Sequence, residues 1–426
     1  METGNFQRSG TANRWAVLAL LTFGVLISFV DRTSISATLA DSAFIRHFAL
    51  TDVDRGWVNA AFFWTYGVFQ LPMGWVADRY GVKWPYATSF ALWCLATASM
   101  GAVTALTSLI VIRLLVGMTE AIVIPASYRW IRNNFDESQN GLAVGILTMG
   151  NKFGPAIGAP VGAWFIVNYS WKMMFIATGL VGLLWLVPWL LLVRNDLPSR
   201  VELTLANRSA RTVTLGSILS SPVVWGGLAT NFSYGYFMFY CMSWMPSYLV
   251  EQRGLSIARS GLFTFFSFIG IGIVAAISGW AADRIIARGC DPIVVRKAFV
   301  IAGFVGGCTV SFGAYASTLN MALLWNVLSL SLLGLATANN LVLSRLTLIP
   351  KAAIGLVTGV QQLATSVAGG LAASLSGWLL QVSGSYDLPM MVILAFLLAG
   401  ALATAVLYRS EWAPKVTDAH DALGQA

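Results

Sequence analysis

Apolar stretches follow one another along this chain, separated by short polar breaks. Runs of about 20 apolar residues are long enough, as helices, to cross a bilayer. Such runs fall near 14–36, 56–78, 84–103, 106–128, 141–166 and 172–193, and again near 217–249, 258–282, 298–317, 321–345, 352–381 and 387–408. The pattern predicts an all-α membrane protein with twelve transmembrane helices. A polar stretch from Arg194 to Leu215, carrying Asp196, Pro198, Arg200, Glu202, Arg208 and Arg211, separates the two sets. The expected organisation is a six-helix bundle over 1–193, a cytoplasmic linker over 194–216, and a second six-helix bundle with a tail over 217–426.

A short internal echo supports that division. GWVADRYG (Gly74 to Gly81) follows the second run of the first set, and GWAADR (Gly279 to Arg284) follows the second run of the other. Matched placement predicts a pseudo-twofold relation between the halves, an arrangement on which alternating access is built. Asp78 with Arg79, and Asp283 with Arg284, are candidate gating pairs for neighbouring helix ends. Helix capping and solvated loop charge are the alternative.

Composition sharpens the class. Hydrophobic residues make up 57% of the chain and charged residues only 10%, against about 25% charged in soluble domains. Mean hydropathy is +0.72. The net charge of +8 does not point to nucleic acid, because the basic residues sit in short loops rather than in one patch. Arg8, Arg14, Arg79, Lys83, Arg129, Arg132, the linker arginines, Arg284, Arg288, Arg296, Lys297, Arg345, Lys351, Arg409 and Lys415 fall on one side of the predicted topology. Arg46, Arg55, Lys172, Arg253 and Arg259 fall on the other. The positive-inside rule then puts both termini in the cytoplasm. The first run, Trp15 to Val30, follows Arg8 and Arg14 but has no clear cleavage site, so it reads as a retained helix. Cys94, Cys241, Cys290 and Cys308 have no metal or redox spacing, and His47 and His420 add no metal site. No metal, cofactor or enzyme activity is expected, since no nucleophile–base cluster or phosphate loop is present.

A few charges interrupt the apolar runs, and charge inside a membrane usually lines a cavity or finds a partner. In RLLVGMTEAIVIPASYRW, Arg113 and Glu120 are seven residues apart. Two helical turns put them on nearly one face, about 10 Å apart along the axis. Gly117 between them leaves room for a neighbour, and Pro125 is placed to bend the helix beyond them. Arg113 offers forked donors to a carboxylate; otherwise it is a structural partner of Glu120 or Asp31. Glu120 is a candidate proton carrier, with a static salt bridge as the alternative. Asp31 and Arg32, in FVDRTSIS, cannot share one helix face. Asp31 is a candidate for protonation or gating and Arg32 for anion contact, unless they simply sit at the interface.

Lys152, in GNKFGPAIGAP, either lines the cavity or snorkels toward the surface. Pro155 and Pro160, with Gly154, Gly158 and Gly162, make its helix a candidate flexible element. In FFWTYGVFQLP, Tyr66 and Gln70 are one turn apart and near Trp64; they read solute hydroxyls or pack between helices. The second half has no evident ionisable residue in mid-span. Its Asn231, Tyr234, Tyr236, Asn339, Asn340, Gln361 and Gln362 are candidates to orient neutral parts of a ligand, or to bind helices together.

GWVADRYG, RLLVGMTEAIVIP and GWAADR together resemble the major facilitator superfamily, through essentially all twelve runs. FVDRTSIS, FFWTYGVFQLPMGWVADRYG and RLLVGMTEAIVIPA resemble its anion:cation symporter branch, which includes bacterial sugar-acid permeases and sialin-like carriers. The resemblance implies proton-coupled movement of a carboxylated solute in a bacterial inner membrane, by a functional monomer among membrane lipids. It implies proton handling by Asp31 and Glu120, and anion handling or gating by Arg32, Arg113 and Tyr66. Asn151 is shorter than the Gln often found where sugar-acid carriers contact their solute, and Gln362 falls near a position often occupied by Asn. Lys152 points to a different or more acidic ligand. The expected function is a proton-coupled symporter importing a small organic anion, a carboxylate or sugar acid; the alternative is a proton-coupled drug or metabolite exporter.

Overall fold

The computed structural model describes residues 11–194, 215–350 and 353–414. The linker charges from Asp196 to Arg211, both termini, and Arg8, Lys351, Lys415 and His420 lie outside the described residues. In chain order the helices are α1 (Thr11–Leu39), α2 (Ser42–Phe48), α3 (Asp52–Tyr80), α4 (Lys83–Ser99), α5 (Leu106–Glu120), α6 (Val123–Asn134), α7 (Glu137–Asn168), α8 (Trp171–Gly182) and α9 (Leu186–Leu192). They continue as α10 (Leu215–Leu219), α11 (Pro222–Ser243), α12 (Met245–Glu251), α13 (Ile257–Ile286), α14 (Pro292–Gly307), α15 (Val310–Ala314), α16 (Leu319–Val342), α17 (Ile354–Ser383) and α18 (Asp387–Leu407). A π turn, Leu343–Thr347, extends α16.

Every predicted run is helical, and the chain folds as an all-α, multi-span membrane protein. Among the described residues, eight helical stretches are long and apolar enough to cross a membrane: Asn13–Leu39, Leu106–Asn134, Trp171–Leu192, Ile257–Ile286, Pro292–Ala314, Leu319–Arg345, Ile354–Ser383 and Asp387–Leu407. The other four expected spans are helices of a different make. Helix α4 has 17 residues. Helices α3, α7 and α11 are longer but more polar, with Asn59, Gln70, Asn151, Lys152 and Asn231 among their residues.

Local chemistry sets the breaks. Thr51 and Asp54 form a reciprocal capping box at the start of α3, and Ser256 caps α13. Gly384, at φ 65°, ends α17 in the left-handed region that suits glycine. The run expected at 106–128 splits after Glu120. Pro125 has no N–H for the Ala121 carbonyl one turn back and its ring crowds that carbonyl, so the regular ladder stops there. Glu120 is therefore the last residue of α5.

The N-terminal helices pack mainly as α1 on α7, α3 on α5 and α4 on α8; the C-terminal ones as α13 on α16, α11 on α17 and α18, and α14 on α16. Two seams join the groups, α3 on α17 and α7 on α13. Both run antiparallel: Gly56 meets Ala373 and Gly377, while Leu71 meets Gly359; Gly261 meets Ala159, while Gly272 meets Lys152. The C-terminal ends of α3 and α13, with Asp78 and Asp283, thus share one end of the molecule with Arg129 and Arg345. This is the basic end, and Arg55 and Glu251 mark the far end.

The seams are tight at the far end and part toward the basic end. A Cβ on Gly56 would lie 2.9 Å from the Ala373 carbonyl oxygen, and one on Gly261 2.9 Å from that of Ala159. Toward the basic end the spacing opens to 3.7 Å at Gly272 and 3.9 Å at Gly359, and Gly141, Gly145 and Gly355 have nothing within 4 Å. The cleft between the helix groups therefore opens at the basic end and is closed at the other.

Gly150, Gly154, Gly158 and Gly162 form a one-turn repeat along α7 that receives α1. A Cβ on Gly158 would sit 2.8 Å from Val30 Cα. The helix runs unbroken through Pro155 and Pro160. In this conformation these glycines form a close packing seam that holds α1 along α7.

Candidate functional site

Arg32, Tyr66, Arg113 and Glu120 come together among α1, α3 and α5. Arg32 donates Nε to one oxygen of Glu120 at 2.9 Å, and its Nη2 makes an ion-pair contact with the same oxygen at 2.9 Å. Its guanidinium lies in an aromatic box, 4.4 Å from the ring centroids of Phe29 and Tyr66 and 4.7 Å from that of Phe62. Phe62 and Tyr66 stack at 5.4 Å. Arg113 donates Nε to the Val58 carbonyl at 3.2 Å and lies 5.1 Å from the Phe62 ring. One phenyl ring, that of Phe62, is therefore shared by two guanidinium groups, each attracted by its π-face.

The partner of Glu120 is thus Arg32, not the Arg113 of its own helix. Gly117 makes this possible by letting α5 press on α3, where a Cβ would collide with the Phe62 carbonyl oxygen and the Thr65 hydroxyl. Thr65 locks the same crossing by donating to the Leu114 carbonyl at 2.8 Å.

Asp31 points elsewhere, as neighbours on a helix must. Its two carboxyl oxygens are buried without a hydrogen-bond partner. The Trp93 indole lies beside it, with Glu120, Arg113 and Arg32 within electrostatic reach. The second oxygen of Glu120 is also without a partner. All four charged residues are nearly inaccessible: Glu120 is 0% exposed, Arg113 1%, Asp31 4% and Arg32 4%. The sequence reading has these charges lining a cavity, pairing with each other, or both; in this conformation they are buried among the N-terminal helices, with Arg32 and Glu120 paired.

Lys152 does reach the interface between the helix groups. Its Nζ donates to the Tyr234 hydroxyl on α11 at 3.0 Å and approaches Met238 Sδ at 3.8 Å. The Tyr234 hydroxyl in turn bonds Thr337 of α16 at 2.9 Å. The side chain spans the cleft rather than running to the surface. On α3 and α7, Asn151 Oδ1, Gln70 Nε2 and the Trp64 indole nitrogen are buried without partners.

Most second-half candidates are engaged in structural bonds. Asn231 donates to Gly227 of its own helix at 2.7 Å, and Tyr236 is packed between Phe232 and Phe396. Asn339 accepts from Arg296 at 3.2 Å and donates to the Leu335 carbonyl at 3.0 Å. Asn340 accepts from the Tyr408 hydroxyl at 3.0 Å. Gln361 accepts from Arg345 Nε at 2.8 Å and donates to the Ser344 carbonyl at 3.3 Å, tying α17 to the π turn. Gln362 is half-buried one position along.

At the basic end, Asp78 pairs with Arg129 at 3.0 Å and Asp283 with Arg296 at 2.5 Å. Both pairs stay within their own helix group. Arg79 and Arg284 are exposed, lying 6.0 Å from the Trp75 ring and 5.2 Å from the Trp280 ring. At the far end Arg55 grips Glu251 across the seam, at 2.6 Å and 3.3 Å, and Asp52 at 2.8 Å. The Tyr386 hydroxyl donates to Glu251 at 2.7 Å. Burial, and then the Glu251 charge, push that phenol up, so it stays a donor. Sequence reasoning missed this latch and the aromatic box around Arg32. The carboxylates of the latch lie in or beside polar loops, and nothing in their spacing links residue 55 to residue 251.

The sequence profile of the Major Facilitator Superfamily matches residues 21–353. A D-galactonate transporter of Escherichia coli O6:H1 (strain CFT073) is 27% identical over 418 residues, covering 92% of this chain and 95% of that protein. A probable galactarate/D-glucarate transporter of Bacillus subtilis (strain 168) is 25% identical, covering 93% and 91%. Among solved structures, a bacterial homologue of the human lysosomal transporter Spinster, inward-facing and unoccupied, superposes with a TM-score of 0.75 at 16% identity. That match covers 96% of this chain and 100% of the other, and it speaks to the fold.

Proposed function

Because this chain belongs to the Major Facilitator Superfamily, we propose that it is a proton-coupled symporter of the anion:cation branch, importing a small carboxylate or sugar acid by alternating access. In this reading twelve spans form two pseudo-symmetric six-helix halves in a bacterial inner membrane. The basic end and both termini face the cytoplasm, so the conformation described above is inward-facing. The cargo of the relatives, galactonate in one and galactarate or glucarate in another, supports a sugar acid.

The observation that carries the reading is the double engagement of Arg32 by one oxygen of Glu120. A cargo carboxylate needs the same forked donors. Arg32 cannot serve both anions in full, so the cargo gains most when Glu120 takes a proton and lets go. Proton and anion then bind together, and neither gains by travelling alone. Asp31, buried with two oxygens lacking donors, is the second proton site. Cotransported protons also offset the cost of moving an anion against a negative interior, about 2.3 kcal/mol per charge at 100 mV.

The test is uptake into proteoliposomes of D-galactonate and D-glucarate, with and without an imposed inward proton gradient. The gradient should raise uptake several-fold. Glu120→Gln, a neutral mimic of the protonated acid, should abolish that response while solute counterflow persists. Equal proton dependence in the variant and the parent would remove Glu120 from the mechanism. Outward proton-driven movement of structurally unrelated compounds would favour the exporter reading.

A further inference from the structure

Lys152 gives the cleft a second cation, on a different helix of the N-terminal group from Arg32. Residue 152 is on α7, where Gly150 and Gly154 face α1 while Lys152 Cβ meets Gly272 of α13. Its ammonium therefore extends toward the C-terminal helices and ends on Tyr234 and Thr337. Its depth matches the charged cluster. Gly154, two residues on, packs against Phe29, whose ring is one wall of the Arg32 box.

The partners of this lysine are a phenol and a thioether. Among the described residues no carboxylate pairs with it, and none pairs with Arg113. Arg32, Arg113 and Lys152 outnumber Asp31 and Glu120, and the imbalance grows when either acid takes a proton. An ammonium inside a membrane protein is costly without an anion. The half-buried Lys152 is held by neutral groups that an incoming anion displaces without leaving a charge behind. The unpartnered Asn151 Oδ1 and Gln70 Nε2 supply an acceptor and a donor for hydroxyls.

We infer that the cargo is a dianion, with one anionic group taken by Arg32 on α1 and the other by Lys152 on α7, whose ammonium ends against the C-terminal helices. This rests on the proposed organic-anion transport and names the charge type of its cargo.

The matched probes are D-gluconate and D-glucarate, which differ by a second carboxylate in place of a terminal alcohol. Affinities are measured by titration calorimetry on the detergent-purified full chain, with uptake in proteoliposomes alongside. The parent should bind glucarate at least about tenfold more tightly than gluconate, as expected for one added charge-assisted contact. Lys152→Met should bring that ratio near one, and Lys152→Arg should restore most of it. Equal affinities in the parent, or a ratio unchanged in Lys152→Met, overturns the dianion inference while leaving anion transport intact. Binding of neither sugar acid overturns both readings. The parent ratio is decisive even where a variant fails to fold.

Discussion

Neutralising Glu251 tests how the far end is held shut. Arg55 is 4% exposed and Glu251 34% exposed at the side chain. Their contacts at 2.6 Å and 3.3 Å are broken when the helix groups separate at this end, while the Tyr386 hydroxyl at 2.7 Å stays with Glu251 in the C-terminal group. Hydrogen bonds to charged groups contribute about 1.5–3 kcal/mol. Partial exposure reduces this toward the exposed-pair value of at most about 1 kcal/mol. Glu251→Gln keeps one acceptor and leaves Arg55 with Asp52, so the net loss comes to about 1–1.5 kcal/mol by these same magnitudes. That is about a tenfold shift of the conformational equilibrium toward the state open at the far end. Spin labels at Arg46 and Arg259, both exposed at this end and in different helix groups, report the distance across the closed seam. The long-distance population should rise about tenfold in Glu251→Gln where it is minor in the parent. An unchanged distance distribution would mean that the glycine seams alone hold the end closed, and the electrostatic argument would fail.

Two stability predictions follow from the packing. Gly117→Ala should cost about 1–3 kcal/mol by overpacking, because its Cβ collides with the Phe62 carbonyl oxygen and the Thr65 hydroxyl; Gly141→Ala, with nothing within 4 Å, should be neutral or slightly stabilising through helix propensity. Thermal unfolding in detergent separates them, and equal behaviour would refute the close crossing of α3 and α5. Gln361→Met should lower the unfolding temperature, by about 1–3 kcal/mol of lost bonding to Arg345 and Ser344, more than it weakens solute binding. The reverse ranking would return Gln361 to the solute site.

The helices were legible in the chain because hydropathy depends on composition within a window, which folding does not alter. The division at Glu120 was partly legible, since Pro125 marks a bend whose site is set one turn earlier by the carbonyl it crowds. Charged candidates were also visible, because charge is conspicuous in an apolar run. Their pairings were less so. Arg113 and Glu120 share a helix face, and spacing leaves their pairing as one alternative among others; the actual partner of Glu120, Arg32, comes from 88 residues away. The polar second-half residues carried even less information. An amide that tethers a helix and an amide that reads a hydroxyl are the same residue in the same kind of span, and only the positions of Arg296, Tyr408 and Arg345 assign Asn339, Asn340 and Gln361 to tethers.

The sealed state of the charged cluster fits the proposed coupling better than an open one would. If water reached Arg32 and Glu120 from the basic end, each would be solvated separately and the competition between Glu120 and a cargo carboxylate would be weak, since opposite charges 4 Å apart gain only about 1 kcal/mol in water. Within the aromatic box of Phe29, Phe62 and Tyr66 the same contact is much stronger, and so is the exclusion it enforces. The box thus serves specificity of coupling: it makes an unpaired Arg32 costly, so that either Glu120 or the cargo must hold it at all times. Lys152 is not under this constraint. It lies at the interface and waits on neutral partners, so a solute in the cleft reaches it before the buried Arg32. On this reading initial capture at Lys152 is separable from proton exchange at Glu120 and the release of Arg32, and the order of events follows from the difference in burial between the two sites.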